Sequence, residues 1–429
     1  MTTEPPMVIE DREELIFILS EAAALEHMIM CEYLFAAFSL KRDVSEGVTA
    51  AQLGAITRWE RIVSFVATQE MLHLALVSNL LTALGSHPYL SHPNFPQRSK
   101  YYPPGVQLAL LPFGEHALQH FLYLERPEGM DLEDAPEFAV LAIPKPSLTL
   151  DDDQIVPQTQ DFATIGHLYR GIEQGLRHLV EKYGERGVFI GPPRAQATQE
   201  YFGWPELIAV TDLASACQAI ETIIEEGEGA RGDWRAAHFG RFLQIMQEYR
   251  DLQQQDPGFE PARPAVAAYV RQPGDTSEVP LISDPVTAGV SELFNASYEV
   301  LLQLLMRYFI HGKETEDELQ TLSSTAVSAM FMAIKPLGQL LTTLPIGPDR
   351  LGKMAGPTFE IYRTGYVLPH HDAAWIVLHE RLLELAAYCG KLSDQQAALQ
   401  VALQAIGENF RRLAAVLEPY VKTHQAREA

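Results

Sequence analysis

A glutamate and a histidine three residues apart lie on the apolar face of a long helical pattern, and that placement limits what the chain can become. Val63, Val66, Ala67, Leu74, Val77, Leu80, Leu81 and Leu84 recur at spacings of three and four, the mark of one helix face. Glu70 and His73 fall on that same face. A carboxylate at a core position is costly unless it is paired or bound to a cation. Neighbouring helices must therefore bring partners to these two side chains.

The first half of the chain supplies such helices. The spacing predicts a helix over residues 13–41, with Leu15, Leu19, Ala22, Ala23, Ile29, Met30, Tyr33 and Ala37 on its buried stripe and Glu26 in the middle of it. Glu32 is rotated about 240° from Glu26 and reads as facing elsewhere. A second helix runs over 50–84 and stops at Gly85, with Pro88 beyond. Residues 86–160 are rich in Pro and Tyr, with Tyr101-Tyr-Pro-Pro, a solvated Asp151-Asp-Asp, apolar runs at 106–111 and 138–143, and a short helix over 116–125. Unstructured loops beyond about 12–15 residues are uncommon, so this segment reads as a crossover that covers the bundle and shapes an entrance. A third helix spans 162–183, a fourth 212–226, and another begins near Trp234. Residues 12–254 thus form one bundle, 255–285 a Pro/Gly-rich linker, and 286–425 a second helical region packed on the bundle. Long strands are absent and the fold class is all-α.

Composition narrows the function. Hydrophobic residues make up 47% of the 429, so a large core can form, and no apolar run is long enough for a transmembrane helix. A net charge of −24 disfavours nucleic acid as a partner, because phosphate binding needs a basic face. The first residues lack the basic and apolar regions of a secretory signal, and Cys31, Cys217 and Cys389 are scattered in apolar helical contexts as reduced core residues. A cytoplasmic protein without membrane partners is expected.

Carboxylate-bridged two-metal sites in helix bundles take glutamates from each of four helices and histidines from Glu-x-x-His turns. Here the candidates are Glu26, Glu70, His73 and Glu173, the last at the edge of the third helix's apolar face, one turn beyond Tyr169. The fourth helix has no Glu-x-x-His. With Leu213, Ala216, Cys217, Ile220, Ile224 and Gly227 as its stripe, Glu228 lies about 60–80° from the centre and Glu226 points out. Glu228 is therefore favoured, with Glu225 and Glu221 as alternatives. His238, the first histidine downstream, completes the set, and Tyr33 and Tyr169 stand near the ligands. A buried salt bridge would also account for Glu26, and a solvated helix edge for Glu173 and Glu228.

Leu25-Glu-His-Met-Ile-Met-Cys-Glu-Tyr-Leu-Phe, Gln69-Glu-Met-Leu-His-Leu-Ala-Leu, and Ile223-Ile-Glu-Glu-Gly-Glu-Gly followed by His238-Phe resemble the bacterial ferritin-like domain family. That family includes the ferritin-like part of iminophenylpyruvate dimer synthase from violacein-type pathways. The similarity covers roughly residues 12–250; Gly356-Pro-Thr-Phe-Glu, in the second half, also looks like a family feature. The resemblance implies a ferritin-like four-helix bundle and a metal site at Glu26, Glu70, His73, Glu173 and the Glu228/His238 region. The ligand set, with the long crossover and the helical second half as a substrate entrance, favours a non-haem di-iron oxidoreductase using O₂ on a small amine- or amino-acid-derived metabolite of secondary metabolism. Two iron ions are the expected cofactor, with manganese or a mixed pair as alternatives, and a homo-oligomer stays open. A metal-storage protein and a dimer-synthase-like coupling enzyme are the competing readings.

Overall fold

The computed structural model describes residues 7–97, 107–138, 157, 160, 162–229, 233–271, 279–363 and 367–428. Tyr101–Pro104, Asp151–Asp153 and most of the 138–143 run lie outside them. The described residues are mainly helical, and their β pairing is confined to isolated bridges such as Leu40 with Ala262 and Gln97 with Leu108. Thirteen α-helices follow in order: α1 Arg12–Ser39, α2 Ala50–Ala83, α3 Glu115–Leu124, α4 Ile165–Tyr183, α5 Glu185–Val188, α6 Gln199–Phe202, α7 Leu213–Gly227 and α8 His238–Gln255. Then come α9 Pro285–Phe309, α10 Glu316–Ala329, α11 Lys335–Leu341, α12 His371–Gln395 and α13 Gln400–Glu428.

Local chemistry sets the starts. Asp11 and Glu14, and Thr49 and Gln52, form reciprocal capping boxes at the heads of α1 and α2, satisfying backbone N–H groups that a helix leaves open. The helical run over 318–341 is interrupted by a π-turn at Met330–Ile334. Pro336 has no N–H for the Met332 carbonyl, and Asn409 Nδ2 donates to that carbonyl instead at 2.9 Å.

The chain divides into two compact units. The first comprises residues 1–89, 96–196 and 205–262; the second comprises 90–95, 197–204 and 263–429. The expected linker is shared out between them, since 255–262 belong to the first unit and 263–285 to the second. In the first unit α1 packs on α2 and α4, α2 on α7, and α7 on α4, which closes a four-helix arrangement; α8 lies on α2 and carries α3. Its lower core is aromatic: Trp59 is fully buried and stacks on Phe113, with Tyr249 edge-on, while its indole N–H donates to Glu248 at 2.8 Å. In the second unit α12 pairs with α13 and both α10 and α12 pack on α9. There Phe359 adopts a left-handed φ of 46°, a strained state for a side-chain-bearing residue. Its neighbours Thr358 and Glu360 are held by Asn295, and its ring is locked edge-on against Phe294 and Tyr298. The Gly356-Pro-Thr-Phe-Glu run thus has a packing role.

Candidate metal centre

Five ionisable side chains from four helices converge in the middle of the first unit. Glu26 on α1, Glu70 and His73 on α2, Glu125 at the C-terminal end of α3 and His238 at the head of α8 are all at most 3% exposed. Glu70 stands at the centre and offers one oxygen to each side. Its Oε2 lies 3.0 Å from His73 Nδ1, which is also 3.6 Å from Glu26 Oε2. Its Oε1 lies 2.9 Å from His238 Nδ1, itself 3.5 Å from Glu125 Oε2. Two clusters result, Glu26–Glu70–His73 and Glu70–Glu125–His238, each with ligand atoms close enough to share one ion.

The surroundings repeat the same two-fold plan. Tyr169 Oη donates to Glu26 Oε1 at 2.5 Å, and Tyr33 Oη donates to Glu125 Oε1. His73 Nε2 meets Glu226 Oε2 at 2.9 Å, whereas His238 Nε2 meets Gln69 Oε1 at 3.3 Å. Each ring thus spends its outer nitrogen on a fixed acceptor and aims Nδ1 inward. The two imidazoles stack 5.5 Å apart.

Charge makes the fit to a cation specific. No lysine or arginine pairs with Glu26, Glu70 or Glu125 among the described residues, so three buried carboxylates share two imidazoles. Burial and the neighbouring Glu70 push the Glu26 carboxyl up to about 8. Burial would raise Glu70 also, but His73 and His238 on either side hold it well below the usual carboxylate range. Burial works against a charge on His238, yet Glu125 and Glu70 push its ring up to about 9. That charge would sit at a helix N-terminus, where the macrodipole repels it. His238 Nδ1, moreover, has no well-directed hydrogen bond despite its short distance to Glu70. A neutral imidazole and a carboxylate facing a common cation satisfy all of these groups at once.

Of the residues singled out in the sequence, Glu26, Glu70, His73 and His238 come together; Glu173 and Glu228 do not. Glu173 is bound by Arg177 at 2.6 Å on the outside of α4. It lines an open cavity of about 410 Å³ together with Arg170, Arg177, Cys217, Glu221 and Glu225. The inward position on that part of α4 belongs to Tyr169. Glu228 is buried but serves as a helix cap: its carboxylate accepts the Gly166 N–H at 2.7 Å, at the N-terminus of α4, and stands 3.5 Å from Arg170. A Cβ at 166 would run into that carboxylate and force it to shift. Glu228→Ala should therefore cost about 1–2 kcal/mol of stability, read by denaturant unfolding, while leaving metal stoichiometry unchanged. A lost metal equivalent would show that Glu228 swings inward.

Two acidic residues were missed. Glu125 ends the stripe Leu118, Phe121, Leu122, so it carried the same signal as Glu26, an acid on an apolar face, within the segment read as a covering crossover. Glu226 points away from a stripe that includes Cys217 and Ile224, but those two residues line the outer cavity. The buried positions are Ala216, Ala219, Ile220 and Ile223. Measured from their centre, Glu226 is only about 70° away.

Comparison with known proteins agrees with this architecture. A family model described as ferritin-like matches residues 19–247. The chain belongs to the ferritin-like family. It is 28% identical over 425 residues to dichlorochromopyrrolate synthase of Lentzea aerocolonigenes, covering 90% of this chain and 40% of that protein. It is 26% identical over 370 residues to 2-imino-3-(indol-3-yl)propanoate dimerase of Chromobacterium violaceum, covering 82% of this chain and 34% of that one. The chain therefore spans two fifths or less of the length of these curated relatives. A solved ferritin-like protein from Caulobacter vibrioides aligns over 74% of this chain and 96% of its own at 21% identity, with a TM-score of 0.44. No helix among the described residues is long and apolar enough to cross a membrane.

Proposed function

We propose that the centre holds two metal ions and that the chain is an oxygen-dependent oxidoreductase of secondary metabolism. Its substrate would be a small amine- or amino-acid-derived metabolite. Iron is the first choice, with manganese or a mixed pair as alternatives. The observation that carries this reading is the division of the buried cluster into two like halves about Glu70. When bound, iron supplies the one-electron chemistry and oxygen activation that side chains lack.

The protein's own groups would do the rest. Glu26 with His73, and Glu125 with His238, would hold one ion each, and Glu70 would join them. Tyr169 and Tyr33 fix the outer oxygens of Glu26 and Glu125; burial and the adjacent carboxylates raise both phenols well above 10, so they keep their protons and remain donors. Glu226 holds the proton on His73 Nε2 and leaves Nδ1 free to bind, as outer carboxylates do for metal-bound histidines. Removal of two electrons and two protons from an amine balances reduction of O₂ to hydrogen peroxide.

A coupling reaction is the second reading, favoured by the names of the two relatives, a synthase and an imine dimerase. Metal analysis after mild purification, then oxygen uptake by the iron-loaded chain with 2-imino-3-(indol-3-yl)propanoate or related imines and amines, tests both. Two metal equivalents per chain and substrate-dependent oxygen uptake are expected. A product of doubled mass selects coupling, and one of unchanged carbon skeleton selects simple oxidation. A chain purified without metal that also fails to take up added iron would overturn both and leave a helical protein with an acidic core.

A further inference from the structure

Away from the cluster around Glu70, a second buried assembly joins α1 to α3. Glu32 Oε2 lies 3.4 Å from His120 Nε2, and His120 Nδ1 lies 2.9 Å from Asp134 Oδ1. The other Glu32 oxygen accepts the Ala109 N–H at 2.6 Å. Phe138 stacks on the imidazole, its centroid 3.9 Å away and its plane within 7°. Glu32 and His120 are completely buried.

Burying such a set is expensive, and apolar side chains of similar volume often stabilise a fold as well or better. In some proteins buried ions are retained because they fix a register that apolar groups leave free. Neighbouring residues of α1 meet α3 at two levels: the Glu32 carboxylate faces His120 Nε2 at 3.4 Å as an ion pair without a well-directed hydrogen bond, and Tyr33 donates to Glu125. Those two positions on α3 are about 7.5 Å apart along its axis. The helix itself is weak, ten residues long with no side-chain bond at its N-cap. Its apolar face packs on α8 through Phe121 and Phe242, and the polar contacts to α1 are what fix its position along and about its axis.

We propose that Glu32, His120 and Asp134 are positioning residues that set Glu125 in the metal centre, so that one half of the centre depends on them and the other does not. The proposal rests on the two-metal reading. The Glu26–Glu70–His73 half is carried by α1 and α2 alone, whereas the Glu125–His238 half needs α3 held in place.

The test is titration of the full chain with Co²⁺, following the visible absorption of the bound ion, for the wild type and His120→Phe. The double variant Glu32→Gln/His120→Phe removes the carboxylate stranded by the single change and serves should His120→Phe fail to fold. The wild type should bind two equivalents. Each folded variant should keep one at wild-type affinity and bind the second at least tenfold more weakly. A merely structural role would lower the melting temperature without changing the ratio of the two affinities. Two equivalents at unchanged affinity, or loss of both together, overturns the proposal. A wild-type chain that binds no cobalt overturns the two-metal reading itself, and the positioning role falls with it.

Discussion

Glu70→Ala should abolish metal binding in both halves of the centre while leaving the helical content intact. The residue offers one oxygen to each side, 3.0 Å from His73 and 2.9 Å from His238, so on the two-metal proposal its loss would remove a ligand from both ions at once. Substitution of a group that only supports a ligand already costs about 10–100-fold in metal affinity, and loss of a shared ligand should exceed that. Glu173→Ala, on the outside of α4, should bind two equivalents and serves as the control. The metal-free variant is also expected to lose about 3–5 kcal/mol, because the two imidazoles keep their burial and lose their common carboxylate. Metal analysis and far-ultraviolet circular dichroism read the two effects separately. Unchanged stoichiometry in Glu70→Ala would sink the assignment of the centre.

Between pH 7 and 9.5 the metal-free chain should become markedly less stable, and His120 should account for much of the loss. Burial opposes a charge on this ring, but Glu32 and Asp134 outweigh it and push it up to about 9, against an ordinary 6.5. A proton held more tightly by the folded state stabilises that state fully below the unfolded value of about 6.5. The benefit disappears as pH rises through about 9. The shift corresponds to about 3 kcal/mol. His238 moves in the same direction, so His120→Phe should flatten the profile without levelling it. Urea unfolding at several pH values measures this, and a wild-type stability constant from pH 7 to 9.5 would rule out a charged His120.

Helix existence was legible because apolar spacing and capping residues act within a few residues of each other. α1, α2, α4 and α7 appear close to where periodicity places them, with ends shifted by a few residues. The inward acids were legible only where the stripe was well drawn. On α2 it was, and Glu70 and His73 followed. On α1 nearly every residue from Ala22 to Ser39 is buried, so no stripe exists to exclude Glu32, which faces His120 in the core. On α7 the apolar Cys217 and Ile224 rim an open cavity, which rotated the apparent inner face and hid Glu226.

That this chain is helical, and that Glu26, Glu70 and His73 must be compensated inside it, follows from the order of residues. Those conclusions need only the cost of burying a charge and the period of a helix. Tertiary structure alone decided which groups provide the compensation. Glu125 comes from a ten-residue helix in a crossover, His238 from the head of α8, and two tyrosines take places where α1 and α4 might have offered acids. Glu228, buried as a ligand should be, is claimed instead by the N-terminus of α4. Burial is written along one helix, whereas a ligand's identity depends on which donors and charges other segments bring within about 3 Å, and no local pattern carries that distance.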